Sequence, residues 1–309
     1  MNTPPRGVRT VARVLIAAVS AGALLAGASV AAAAPRRATP VPAGSHRAEA
    51  NKVLVRYVFD QLFNRGNLAV IDAFVRPDYI QHNPAAPTGA QALRDFVTGV
   101  KAAYPDSHVV VKHALAEGDL VILHSNFVLE NGSKGIAAFD IFRIQQGKIA
   151  EHWDVLQQVP DTTASGHDMF STLSTPRLPW PDPHASAAAT KRAGTALLNG
   201  ITAHHDVTAY DRYAVDPYYQ HNPQLGDGIT PAKQYFTALF AAYPDFGGST
   251  KRVIAEGDYV AVHSHIKLTA DDPGLAAVDL LRVRNGKVVE HWDVLQPVPS
   301  TSANDNTMF

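Results

Sequence analysis

Cysteine is absent from the 309 residues, which removes disulfide frameworks, thiolate nucleophiles and lipid-modified cysteine together. Charge is scarce. Asp, Glu, Lys and Arg make up 18% of the chain, they nearly cancel at a net −1, and no run of one sign stands out. A face that grips nucleic acid needs such a run, so no nucleic-acid partner is expected. There is also no glycine-rich phosphate loop, no G-x-S-x-G elbow and no H-x-x-x-H pair. Nucleotide binding, serine hydrolase chemistry and a helix-borne zinc site therefore have no starting point. What the chain does hold is apolar, at 46% hydrophobic residues, and it is long enough for two cored domains.

The dominant feature is a repeat. Glu151-His152-Trp153-Asp154-Val155-Leu156-Gln157 recurs unchanged as Glu290-His291-Trp292-Asp293-Val294-Leu295-Gln296, a register of 139 (290 − 151). In that register Tyr79 meets Tyr218, His82-Asn83-Pro84 meets His221-Asn222-Pro223, His124-Ser125 meets His263-Ser264, and Asp140 meets Asp279. From Tyr79 to Phe170 roughly 40 of about 90 positions agree without a gap, a length that marks a duplicated domain rather than a solenoid of short units.

The first residues have the layout of an export signal. Arg6, Arg9 and Arg13 precede an apolar run from Val14 to Val30, and Ala31 to Ala34 supply an A-x-A cleavage pattern. Residues 1–33 are read as a signal peptide, which predicts a secreted chain with no membrane association after cleavage. An uncleaved anchor is the alternative, since the run approaches a membrane span. Residues 34–45 read as a flexible leader, 46–170 as a first domain, 171–184 as a linker stiffened by Pro176, Pro179, Pro181 and Pro183, and 185–309 as a second domain. Within the first, Val53, Leu54, Tyr57, Val58 and Leu62 recur at helical spacing. A short helix spans 68–74 and a third spans 90–104. Four strand-like runs follow, at 109–117, 120–129, 136–145 and 148–157, separated by Gly118-Asp119, Asn131-Gly132 and Gln146-Gly147. Helices followed by a meander of strands make an α+β unit, with helices covering one face of a curved sheet.

Alternation along the strands selects the candidate site. Even positions place His124, then Asp140, then His152 and Asp154 on common faces. If those faces line one concave surface, the four converge, as do His263, Asp279, His291 and Asp293, with His82 and His221 at the rim. A carboxyl in a half-apolar cavity beside another carboxyl or a histidine has its pKa moved toward neutrality. It can then take up and return a proton, so Asp154 and Asp140 are the candidate acid–base pair, with Asp293 and Asp279 in the second copy. The histidines are read as substrate-binding groups. Plainer roles stand beside these: Asp140 as a buried partner of Arg143, His152 as a cross-strand neighbour, Trp153 as packing. His152, Asp154 and His124 would supply three metal ligands, but no familiar ligand spacing supports them, so neither metal nor cofactor is expected.

The motifs Y-x-Q-H-N-P, a helix ending in Y-P-D, A-E-G-D-x-V, and G-K-x-x-E-H-W-D-V-L-Q together resemble the SnoaL-like polyketide cyclases of the nuclear transport factor 2-like superfamily. The resemblance covers both copies. It implies two tandem cone-shaped α+β barrels, each a curved, mostly antiparallel sheet round a pocket closed by helices. It also implies a small-molecule ligand and an acid on the last strand, matched here by Asp154 and Asp293, that serves cofactor-free cyclase, isomerase or lyase chemistry. Such domains pair through their sheets, so an intrachain pseudo-dimer is expected. A non-catalytic ligand-binding or dimerisation module is the alternative.

Overall fold

The computed structural model describes residues 43–309. The signal segment read at 1–33 and the leader as far as residue 42 lie outside the described residues. In the first domain the order is α1 (Ala43–Phe63), α2 (Ala69–Phe74), β1 (Val75–Gln81), α3 (Ala90–Ala103), β2 (His108–Glu117), β3 (Leu120–Val128), β4 (Ile136–Gln145) and β5 (Lys148–Gln158). The second repeats it as α4 (Ala187–His204), α5 (Ala209–Tyr213), β6 (Ala214–Gln220), α6 (Ile229–Ala242), β7 (Gly247–Glu256), β8 (Tyr259–Lys267), β9 (Leu275–Arg284) and β10 (Lys287–Pro297). Tight turns link the last strands. Gln146 and Gly147, at φ 52° and 75°, both adopt the left-handed conformation that a two-residue hairpin needs. Among the described residues no helix is long and apolar enough to cross a membrane.

Each sheet has five strands, one more than the hydrophobic pattern predicts, in the order β1-β5-β4-β3-β2 and β6-β10-β9-β8-β7. The additional strand is parallel, with Gln81 beside His152 and Gln220 beside His291. Pro77 hides it in the sequence, because proline is tolerated only on an edge strand or at an irregularity. Here β1 is an edge, and its register shifts between Val75 and Ile80. The sheets are open rather than closed into barrels, since β1 and β2 end the row in one domain and β6 and β7 in the other.

Both faces of each sheet are used. One face packs under its own helices, where Val58, Phe59, Leu62, Val97, Leu123 and Phe142 form a core in the first domain. The other face meets the second sheet, and Phe139, Trp153 and Val155 share a cluster with Val278, Trp292 and Val294. The pairing is near-symmetric at its polar seams. Leu156 N donates to Gln296 Oε1 (2.8 Å) and Leu295 N to Gln157 Oε1 (2.9 Å). Likewise Ala116 N donates to Glu256 Oε2 (2.7 Å) and Ala255 N to Glu117 Oε2 (2.9 Å). After its last strand each domain sends a strap across the other. Asn304 donates to the carbonyls of Asn83 and Ala86 (both 2.8 Å), and Asn306 to that of Gln81 (2.9 Å). In the other direction Trp292 Nε1 donates to Ser171 O (3.0 Å), while Leu173 N and Ser174 N donate to Glu290 (2.6 and 3.0 Å). The start of the proline-rich segment is thus docked on the second domain.

Candidate functional site

A cavity of about 90 Å³ lies between helices and sheet in the first domain. Its apolar end is formed by Val58, Phe59, Leu62, Phe96, Phe127 and Phe142, and its polar end by Tyr79, Gln81, Asn83, Asp140, His152 and Asp154. Asp140 and Asp154 sit directly opposite each other on β4 and β5. The parallel pairing of β1 with β5 brings Gln81 to His152, and the turn after β1 brings Asn83 to Asp154. That turn explains how one asparagine serves two purposes. Its Oδ1 accepts from Ala85 N (2.7 Å), closing an Asx turn, which leaves Nδ2 to donate to Asp154 Oδ2 at 2.6 Å.

The hydrogen bonds define where the protons are. Gln81 Oε1 accepts from the backbone N–H groups of His82 and Asn83, both at 2.9 Å, so it is an acceptor toward His152 Nδ1 at 2.9 Å as well. Nδ1 therefore carries a proton. Nε2 faces Asp140 Oδ1 at 3.1 Å, and a neutral ring would present a lone pair there. The pair is a hydrogen bond only if a proton lies between the two, on the ring as an imidazolium or on the carboxyl. Burial opposes that charge, but the Asp140 hydrogen bond and the nearby Asp154 and Asp140 charges outweigh it, and the His152 pKa is raised. Asp154 is different. Its Oδ1 is buried with no hydrogen-bond partner. Burial dominates, His152 and the Asn83 hydrogen bond pull back, Asp140 adds, and the carboxyl is pushed up to about 6. Ordinary carboxyls titrate near 4. Tyr79 accepts from Gln81 Nε2 (3.1 Å), leaving its own proton free to donate, and burial beside the two acids holds that phenol well above its usual range.

The second copy repeats the acid–imidazole set. His291 Nε2 lies 2.9 Å from Asp279 Oδ1, its Nδ1 lies 2.8 Å from Gln220 Oε1, and Asn222 Nδ2 donates to Asp293 Oδ2 at 2.6 Å. Asp293 Oδ1 is also buried and unpartnered, and burial again lifts that carboxyl to about 6. In each copy Asp, His and Asp ligand atoms fall within 4.8 Å of one another, close enough to hold one ion. In both, the imidazole nitrogen that faces the acids lies at hydrogen-bond distance from one of them, so a proton and an ion would compete for the same place.

Of the ten residues singled out from the sequence, six reach these two sites: Asp140, His152, Asp154, Asp279, His291 and Asp293. The other four face the sheet–sheet interface. Leu123, not His124, stands opposite Asp140, and His124 pairs with Phe139. The register across the β3–β4 hairpin sets even positions against odd ones, so His124 and His263 point away from the acids. His124 Nδ1 meets His113 Nδ1 at 3.0 Å, and His263 Nδ1 meets Arg252 at 3.2 Å. The three-ligand set of His124, His152 and Asp154 is therefore not assembled. His82 and His221 stack on Trp153 and Trp292 and contact Glu151 (2.9 Å) and Glu290 (3.0 Å) rather than rimming a pocket. Sequence reasoning missed Tyr79, Gln81 and Asn83 as site residues. All three lie in Y-x-Q-H-N-P, where the neighbouring histidine draws attention.

A family profile described as "SnoaL-like domain" matches residues 55–152 and 195–291, together more than half of the chain. No curated protein matches. Among solved structures, TsrD from Streptomyces laurentii is similar at 22% identity, over 35% of this chain and 89% of its own, with a TM-score of 0.32. An NTF2-like protein of unknown function from Mesorhizobium loti is similar at 19% identity, over 37% of this chain and 97% of its own, with a TM-score of 0.33. An Acidithiobacillus ferrooxidans protein provisionally described as a polyketide cyclase is similar at 17% identity, over 35% and 88%, with a TM-score of 0.32.

Proposed function

Because the chain belongs to the SnoaL-like domain family in both of its halves, we propose that it carries out acid–base chemistry of the isomerase, cyclase or lyase type on a small, partly apolar molecule, using side chains alone. The observation that carries this reading is the free Oδ1 of Asp154, buried at the polar end of an apolar cavity on a carboxyl that titrates near neutrality. A base with a pKa near the working pH is the efficient choice for moving a proton from carbon. Asp154 would take a proton α to a carbonyl. The C–H electron pair becomes the new C=C bond, and the carbonyl π pair moves to oxygen. Tyr79 would donate a hydrogen bond to that oxygen, where preorganised donors lower the barrier most. Asp154 would then return its proton at another atom. Asn83 and the Gln81–His152–Asp140 chain hold the acid and its surroundings in place. Residues 1–33 would direct export, placing the mature chain outside the cytoplasm.

The test is solvent-deuterium incorporation into 2-tetralone, followed by NMR with the mature chain and with Asp154→Asn plus Asp293→Asn. Incorporation that follows an apparent pKa near 6 and falls at least 100-fold in the double variant supports the reading. If 2-tetralone binds and no exchange exceeds that in buffer, catalysis is refuted and ligand binding alone remains.

A further inference from the structure

The linker and the leader hold equivalent places in the repeat. Subtracting the register of 139 from residues 173–181 gives 34–42, and Pro179-Trp180-Pro181 then meets Pro40-Val41-Pro42. Beneath the linker lies a polar strip of the second domain. Glu290 accepts from the backbone N–H groups of Leu173 and Ser174, and Arg282 donates to Ser174 O (2.9 Å) and Asp258 Oδ2 (2.8 Å). Asp258 Oδ1 in turn accepts from Asp182 N (2.7 Å). The linker runs so close over the β7–β8 turn that a Cβ on Gly257 would come 2.9 Å from Asp182 N. Asp258 and Glu290 are 0% exposed and Arg282 is 1% exposed, so the cover is complete. Charges buried this deeply persist only where they are paired and hydrogen-bonded.

The first domain carries the same strip as Asp119, Arg143 and Glu151, and there its Asp119 end is bare. A Cβ on Gly118, the counterpart of Gly257, would meet nothing within 4 Å. Asp119 is exposed, and among the described residues no backbone N–H donates to its carboxylate or to that of Glu151. The Arg143 side chain is 30% exposed and, with no strap carbonyl to hold, donates to Glu151 at 2.7 Å. The leader joins the fold beside this strip. α1 begins at Ala43, and Asn51, about two turns further on, donates to Gly118 O (3.1 Å).

We propose that residues 34–42 dock on this strip as the linker docks on its counterpart, placing backbone N–H groups on Glu151 and the Arg36 and Arg37 charges beside Asp119 and Glu151. Three observations select this occupant. The segment repeats the P-x-P of the linker in register, it brings two cations to two carboxylates, and it is tethered where the strip begins. At roughly 3 Å per residue its nine residues reach about 27 Å from Ala43. The match is not atom for atom. Pro35 replaces Ser174 and has no N–H, and α1 starts five positions earlier in the register than α4 (187 − 139 = 48), so Arg36 and Arg37 supply the N–H groups. This docking is independent of the cavity chemistry, and it gives the first domain the cover that the linker gives the second.

The experiment uses the chain beginning at Ala34 and follows tryptic cleavage after Arg36 and Arg37 by mass spectrometry under native conditions. A docked segment turns its backbone to the protein rather than to the protease. Cleavage should therefore be at least tenfold faster in the double variant Asp119→Asn and Glu151→Gln than in the wild type. Glu151 also contacts His82 and Arg143, so two milder changes accompany it. Asp119→Asn alone alters a side chain that holds no other described residue, and Pro40→Gly with Pro42→Gly lies outside the described fold. Each should speed cleavage at least threefold while amide exchange in β4 and β5 stays as in the wild type. Equal cleavage rates in all these chains, or a wild type cut as fast as a free peptide of residues 34–47, overturns the docking. Faster cleavage only where β4 and β5 also exchange faster overturns it too, because general loosening then explains the result.

Discussion

Replacing Asp154 by asparagine should stabilise the protein at neutral pH and leave it nearly unchanged in acid. The carboxyl is buried and pushed up from 3.8 to about 6. Each pKa unit corresponds to about 1.4 kcal/mol, so keeping this group ionised in the fold at pH 7.5 costs about 3 kcal/mol. The sign follows from linkage. A pKa raised on folding gives stability that is complete below the unfolded value and is lost as pH rises through the folded one. The penalty on the wild-type chain is thus small at pH 4, builds as pH rises toward 6 and is full above it. Asparagine keeps the Asn83 contact, because its carbonyl oxygen can still accept from Nδ2. It removes a charge that favours the His152 imidazolium, which takes back part of the gain. The net expectation is 1–3 kcal/mol of added stability at pH 7.5 and under about 0.5 kcal/mol of change at pH 4, or several degrees in Tm at the higher pH. Asp293→Asn should behave the same way. Urea unfolding of wild type and variants at the two pH values measures this directly. A loss of more than about 1 kcal/mol at pH 7.5, or equal effects at both, would show that the acid is a structural partner and refute the reasoning.

Two further outcomes concern the interface. His113 and His263 are pushed down to about 3, mainly by burial, so their contribution is full above 6.5 and is lost as pH falls toward 3. By pH 4.5 the loss approaches about 3 kcal/mol per imidazole; the double substitution His113→Gln and His263→Gln should flatten the wild-type fall between pH 7 and 4.5 in urea midpoints, and an unaltered slope would count against it. Removing the side-chain acceptors that cross the seam, by Gln157→Ala or Gln296→Ala, leaves a partner backbone N–H unmatched. Each should lower stability by about 1–3 kcal/mol, measured by calorimetry at pH 7, where a change near zero would mean the seam is solvated.

The parts of the fold that are local in sequence are legible in it. The duplication, the three helices and the four antiparallel strands follow from periodicity and turn residues; alternation assigns Asp140 and Asp154 to faces of their own strands, and the register shift between Arg143 and Ile144 is what sets them opposite each other. What escapes is non-local. The edge strand from Val75 to Gln81 pairs in parallel with a strand far along the chain, and Pro77 masks it. Without that strand nothing places Gln81 or Asn83 beside the acids. His124 illustrates a second limit. Faces are known along one strand, but crossing a hairpin requires its register, and a one-residue difference sends the side chain through the sheet. His82 shows a third, because its contact with Thr307 depends on a strap from the other copy.

Alternate residues of one strand serve two masters: Asp154 faces the cavity under the helices while Trp153 and Val155 face the other domain. In a dimer of identical chains any heritable change on such a strand, or on the helices above it, appears twice. Joining the copies in one gene lifts that obligation. A tyrosine can enter at position 210 while isoleucine stays at 71, and the shared sheet-to-sheet seam goes on supporting both. Duplication lets each half change its helices and cavity without the other having to follow, a freedom that symmetry would have denied it.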